Sequence, residues 1–169
     1  STGKRELVAQ AWYPAQRPSI FAWNGRARYR RLKETNFKSS YQSVLQTHAY
    51  LDAPVDPGGA PYPVLLFSPA WTGQRTQSTF LMEELASHGF IVVSVDHTYY
   101  SGLVELPGGQ VYDASRAPSI GVFAGSSVAE QNARGDKYTL IEAQDQIAVL
   151  NDLERRNKEA GDPFSGRLD

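Results

Sequence analysis

The chain is 169 residues long, 41% hydrophobic and 21% charged, with a formal net charge of −1. That length suits one domain with a buried core, and so small a net charge gives no electrostatic reason to expect nucleic acid or an anionic membrane as partner. The absence of cysteine excludes thiol catalysis, thiolate metal sites and disulfides. No apolar run reaches the roughly 20 residues of a transmembrane helix.

In chain order, Glu6 to Trp12 alternates polar and apolar residues and breaks at Tyr13-Pro14, which predicts a half-buried antiparallel strand. Residues 15–48 are irregular, with room for one amphipathic helix. They hold a basic run, Arg26, Arg28, Arg30, Arg31 and Lys33, whose plainest reading is a solvated face. Asp52 to Pro63 is a connection dense in proline and glycine.

The central stretch is more regular. Val64-Leu65-Leu66-Phe67 is a continuous apolar run, the pattern of a strand covered on both faces. A short loop, Ser68 to Arg75, leads to a helix predicted over 76–88, with Thr76 or Ser78 available as N-cap and Gly89 as its stop. Phe90 to Val95 is a second apolar strand ending at Asp96-His97. Strand, helix and strand within so short a stretch predict a βαβ unit and a parallel sheet.

Leu103 to Tyr112 flanks Pro107-Gly108-Gly109 and predicts a small hairpin. Residues 113–136 lack periodicity and read as a long loop, with room for a short helix near Val128 to Asn132. A second helix is predicted from about Thr139 to Lys158, with Leu140, Ala143, Ile147, Leu150 and Leu153 on one apolar face and Gly161-Asp162-Pro163 as its end. A sheet of these pieces alone would leave one edge and one helix face uncovered, so the fold class is α/β but the fold is expected to be incomplete.

The chemistry concentrates on Ser68-Pro69-Ala70-Trp71-Thr72-Gly73, directly after a buried strand. Backbone N–H groups there face the sheet edge where open α/β proteins bind ligands. Serine hydrolases draw one oxyanion donor from such a loop and the other from the residue after the nucleophile. The small residues Ala70 and Gly73 leave room for a carbonyl; taken alone, the loop is better explained as an ordinary βα turn. No Gly-x-Ser-x-Gly occurs. Its nearest approach, Gly125-Ser126-Ser127-Val128-Ala129, lacks a preceding buried strand. Ser68 and Ser101 are attractively placed, without an assignable base. His88 is best explained as capping helix carbonyls, and His97 stands near the candidate site, where a structural role at the loop base is the simpler reading. No metal or phosphate motif is present, so no cofactor is implied.

Several segments together resemble the platelet-activating-factor acetylhydrolase family of α/β-hydrolases. They are Arg5 to Ala15, Thr47 to Pro54, Tyr62 to Pro69, Arg75-Thr76-Gln77, Glu84 to Val93, Ala143 to Leu153 and Asp162 to Asp169. The core segment with Trp71-Thr72-Gly73 is also similar to bacterial cutinases and related polyesterases, which rank second. Either resemblance implies a metal-independent serine esterase acting on an ester or lipid. The Trp71 backbone N–H would be an oxyanion donor, and Ala70, Trp71, Thr72, His97 and Tyr99 would line the substrate site. Ala70 stands where glycine is usual.

The resemblance also implies that the serine, aspartate, histidine and second oxyanion donor lie beyond Asp169. Residues 1–169 would then form the N-terminal part of a single α/β-hydrolase domain, inactive alone and partnered by the C-terminal half as a second chain or a cleaved remainder. The competing reading is a degenerate, non-catalytic binding module whose pocket is lined by Trp71, Tyr99 and Tyr100. Nothing in the sequence fixes the compartment, secreted or cytoplasmic.

Overall fold

The computed structural model describes residues 5–16, 46–114 and 127–169. The basic run, the helix considered within 15–48 and Gly125-Ser126 fall outside or mostly outside these residues. The elements are β1 (Val8–Trp12), β2 (Val64–Phe67), α1 (Thr79–Ser87), β3 (Ile91–Asp96), β4 (Leu103–Glu105), β5 (Val111–Asp113) and α2 (Val128–Lys158). A three-stranded sheet has the order β1-β3-β2, and β4 pairs antiparallel with β5 as the predicted hairpin. The mixture of strands and helices is α/β. Strands β2 and β3, joined through α1, lie side by side as a βαβ unit requires.

Burial explains this order. All six residues of β3 are buried, with Ile91 and Val95 at 0% exposure, as expected of a strand that is apolar except at Ser94 and Asp96. The flanking strands bury less. Leu65 of β2 remains 37% exposed, so the predicted cover on both faces does not extend to this outer strand.

Helix α1 starts at Thr79 rather than at 76 because the chain first turns through Ser78, at φ 60°, with no side-chain cap bond. Its end is as expected. Gly89, at φ 90°, donates to Ala86 O and Phe90 N–H donates to Leu85 O, a Schellman arrangement that only a residue at ease in the left-handed region closes cheaply. The ring of His88 meets the Glu84 carbonyl at 2.9 Å, so it does cap the helix.

Helix α2 corrects the sequence expectation twice. It begins at Val128 and runs 31 residues without a break, joining the short helix considered near Val128 to Asn132 to the predicted second helix through residues 133–138. Ser127 opens it with a capping box: Ser127 N–H donates to Glu130 Oε2 at 2.8 Å, and Glu130 N–H donates to Ser127 Oγ at 3.3 Å. The buried face is also different. Asp145, Val149 and Leu153 are covered, whereas Leu140, Ile147 and Leu150 are 60%, 56% and 41% exposed. Of the predicted stripe only Leu153 is buried. Among the described residues no helix is long and apolar enough to cross a membrane.

Two compact units share these elements. One comprises Ser1–Gln10, Leu66–Gln77 and Ser94–Asp152; the other comprises Ala11–Leu65, Ser78–Val93 and Leu153–Asp169. The second is tied by its C-terminal segment. Tyr62 N–H donates to Arg167 O and Asp169 N–H to Tyr62 O, at 2.8 and 2.9 Å. Asn157 accepts from the N–H groups of Arg167 and Leu168 and donates to Leu168 O. The first unit holds the candidate site.

Candidate functional site

The loop 68–73 leaves the end of β2 at Ser68 and is held at several points. Ala70 N–H donates to Gln77 Oε1 at 2.9 Å, and Gly73 N–H donates to Ala70 O at 2.6 Å. Thr72 sits at φ 59°, and its carbonyl accepts from Gly102 N–H at 2.9 Å. Glycine is required at both contacts: a Cβ on Gly73 or on Gly102 would stand 2.6 Å from the carbonyl oxygens of Ala70 and Thr72, respectively. The tie between Ala70 and Gly73 gives the loop its tight turn despite alanine at position 70.

With Ala70 and Gly73 occupied, the Trp71 N–H has no hydrogen-bond partner among the described residues. The Trp71 ring is half-buried against Tyr100 and Tyr138, with centroids at 5.9 and 5.0 Å, and those two tyrosines lie 5.3 Å apart. The Arg5 guanidinium lies 5.2 Å over the Tyr100 ring. Tyr99 turns elsewhere: at φ 77°, its ring packs edge-on against Tyr112 at 4.9 Å. The sequence pointed to Trp71, Tyr99 and, in the binding-module reading, Tyr100; the structure brings Tyr100 and also Tyr138 to Trp71, but not Tyr99. Tyr138 was out of reach of sequence reading because it comes from α2, near the start of the predicted helix.

Behind the loop lies a chain of polar side chains. Ser68 Oγ is 2.8 Å from His97 Nε2, and His97 Nδ1 is 2.8 Å from Asp145 Oδ2. The same Asp145 oxygen is ion-paired with Arg5. Ser68 is exposed, whereas His97 is 2% and Asp145 7% exposed. Burial, reinforced by the Arg5 charge, lowers the His97 pKa from 6.5 to about 4. Burial also lowers the pKa of Arg5 and raises that of Glu142, Arg5 opposing the latter. The hydrogen-bond partner that sequence reading could not assign to Ser68 is His97, and Asp145 was missed because it lies 48 residues further on.

A second pair closes the loop from the other side. Asp96, at the end of β3, accepts from Arg75 N–H at 2.5 Å and is ion-paired with the Arg75 guanidinium. Its side chain is fully buried, and burial raises its pKa even though Arg75 opposes the rise. Ser101 accepts the His97 N–H at 2.9 Å. Among the described residues no cluster of His, Asp and Glu is arranged to hold a metal ion.

A loop at the end of a strand in an α/β unit is the setting in which open-sheet proteins generally bind ligands. The match to a family model makes this specific. Residues 7–107 match platelet-activating factor acetylhydrolase, isoform II, and the chain belongs to that family. Ser68, Trp71 and His97 fall within the match; Tyr138 and Asp145 lie beyond it. The chain is also similar to a ferulic acid esterase from Streptomyces cinnamoneus of known structure, with 27% identity and a TM-score of 0.59. That similarity covers 99% of this chain and 43% of the esterase, so the chain spans less than half of the esterase's length. No curated protein matches.

Proposed function

We propose that the full-length protein is a serine-dependent carboxylic-ester hydrolase, to which residues 1–169 contribute the oxyanion loop and part of one α/β-hydrolase domain. The observation that carries this reading is the unpartnered Trp71 N–H, on a loop whose neighbouring Ala70 and Gly73 donors are both occupied. Membership of the acetylhydrolase family and similarity to a ferulic acid esterase support an ester as substrate. The nucleophile, its histidine and aspartate, and the second oxyanion donor belong in this reading to the C-terminal half.

The chemistry is acyl transfer. The serine attacks the ester carbonyl, the tetrahedral oxyanion is held by Trp71 N–H and the second donor, and water then releases the acid. Trp71 N–H contributes because it is fixed before the charge forms, and one such donor is worth roughly 100- to 1,000-fold in rate. Ala70 and Thr72 border the approach to it. The Trp71, Tyr100 and Tyr138 rings offer an apolar wall for the acyl group or for an aromatic acid. Among the described residues, the exposed Leu140, Ile147 and Leu150 of α2 are the apolar surface that the C-terminal half would cover.

Hydrolysis of p-nitrophenyl acetate tests the reading. The full-length protein is expected to turn it over and to be inactivated by a fluorophosphonate, whereas residues 1–169 alone do neither. Fluorophosphonate-sensitive turnover by residues 1–169 alone would contradict it.

A further inference from the structure

Ser68, His97 and Asp145 repeat the residue types and the hydrogen-bond order of a serine-hydrolase relay. Their proton arrangement follows from the acceptors. An ionised Asp145 paired with Arg5 can only accept, so His97 Nδ1 carries the ring proton and donates to it. Nε2 is then a lone pair, and the Ser68 hydroxyl donates to Nε2.

The surroundings separate this relay from a nucleophile. In a working triad the aspartate is free to stabilise the imidazolium that forms when histidine takes the serine proton. Here Arg5 and His97 share one oxygen of Asp145, so its charge is already matched and Arg5 opposes a second cation. A histidine so disfavoured as a cation is a weak base at neutral pH. It is, however, a rigid one: buried, with both ring nitrogens engaged.

Rigidity matters because the segment carrying His97 grips both ends of the loop. Tyr100 and Ser101 N–H groups donate back to His97 O at 2.7 and 2.8 Å, forming a tight turn. At one end of the loop, that turn accepts Ser68 Oγ–H through the His97 ring. At the other, Gly102 N–H holds the Thr72 carbonyl. Trp71 lies between these two anchors.

We infer that Ser68, His97 and Asp145 are positioning residues, which aim the Trp71 N–H at the oxyanion through the buried His97–Gly102 turn. This rests on the serine-esterase reading above. Ser68 is neither acylated nor a source of protons; its hydroxyl sets the start of the loop.

The test is made on the full-length protein with p-nitrophenyl acetate and a fluorophosphonate. Ser68→Ala removes an exposed hydroxyl and leaves no core cavity. It is expected to lower kcat about 10-fold, less than the loss of a whole donor, with KM unchanged and only the small fall in Tm that leaving His97 Nε2 without its partner entails. Ser68→Thr, which keeps the hydroxyl, is expected to restore most of kcat, and Ser68→Ala is still labelled by one fluorophosphonate per chain. Unchanged kcat in Ser68→Ala would overturn the inference, as would a fall in Tm that tracks kcat and is not rescued by threonine. Loss of labelling in Ser68→Ala would make Ser68 the nucleophile and overturn it as well. A wild-type protein that neither turns over ester nor labels would instead sink the esterase reading itself.

Discussion

Each compact unit contains a loop secured by an Arg–Asp pair, and the two pairs behave differently. In the first unit, Arg75 meets an Asp96 side chain with no exposure, whose pKa is raised by burial against the pull of Arg75. In the second, Arg156 Nε lies 2.8 Å from Asp162 Oδ2 in a partly exposed setting. Burial there works against the Asp162 carboxylate, but Arg156 and the Phe164 N–H outweigh it and hold its pKa below the ordinary value. Desolvation therefore wins at Asp96 and hydrogen bonding wins at Asp162. The backbone follows the same division. The C-terminal segment uses the N–H groups of Arg167, Leu168 and Asp169 in ties to Asn157 and Tyr62, while the loop 68–73 is tied on either side of Trp71 and leaves that donor open. The C-terminal donors are thus used, whereas the Trp71 N–H has no partner among the described residues.

The sharpest way to break this comparison is at the arginines. Arg75→Ala strands a buried carboxylate and is expected to cost about 3 kcal/mol in urea denaturation, the scale for breaking a buried pair. Arg156→Ala leaves Asp162 its Phe164 bond and loses a partly exposed ion pair together with the stacking on Phe164, for about 1 kcal/mol. Equal costs would mean that burial does not separate the pairs.

Next in size come the glycines. Gly73→Ala places a Cβ 2.6 Å from Ala70 O and 3.1 Å from Pro69 Cβ, so the turn must open. With Trp71 N–H displaced, kcat of the full-length protein is expected to fall about 100-fold. Gly166→Ala, at φ 66° with nothing within 4 Å of the new Cβ, is expected to cost about 1 kcal/mol of stability and no activity. Asn157→Ala removes three hydrogen bonds from the holding segment. It should lower stability by about 2 kcal/mol while kcat stays at the wild-type value; a kcat loss would mean that the segment serves the site.

A further effect is graded with pH. Because the folded His97 has a pKa of about 4 against 6.5 for a free ring, the unfolded chain binds its proton first as pH falls. The stability due to neutral His97 is thus complete above about pH 6.5 and drains away toward pH 4. Urea midpoints should fall across that window in the wild type, with a shallower fall in His97→Gln.

Much of this was legible in the sequence because local chemistry and tertiary structure agree. The apolar run of β3 marks the buried central strand, Gly89 marks the end of α1, and Pro107-Gly108-Gly109 marks the hairpin. Other features lay in view but were outweighed: Ser127-x-x-Glu130 is a capping box, masked by the poor periodicity around Gly135. What could not be read was the face that α2 buries. Periodicity favours the stripe of Leu140, Ile147 and Leu150, yet the helix turns Asp145 inward because His97 and Arg5 supply its partners from far along the chain. The loop itself was identified from its place after β2, but its open donor emerged only once the ties of Ala70 to Gln77 and of Gly73 to Ala70 were known.

The central claim concerns a single backbone hydrogen, and amide NMR reads it directly. In the full-length protein, 15N–1H shifts are compared before and after fluorophosphonate inactivation, with Ala70 and Gly73 as internal references. The Trp71 amide proton is expected to move strongly downfield as it takes up the phosphonyl oxygen, while Ala70 and Gly73 hold their positions. A Trp71 resonance that does not move would contradict the assignment of this loop as an oxyanion hole.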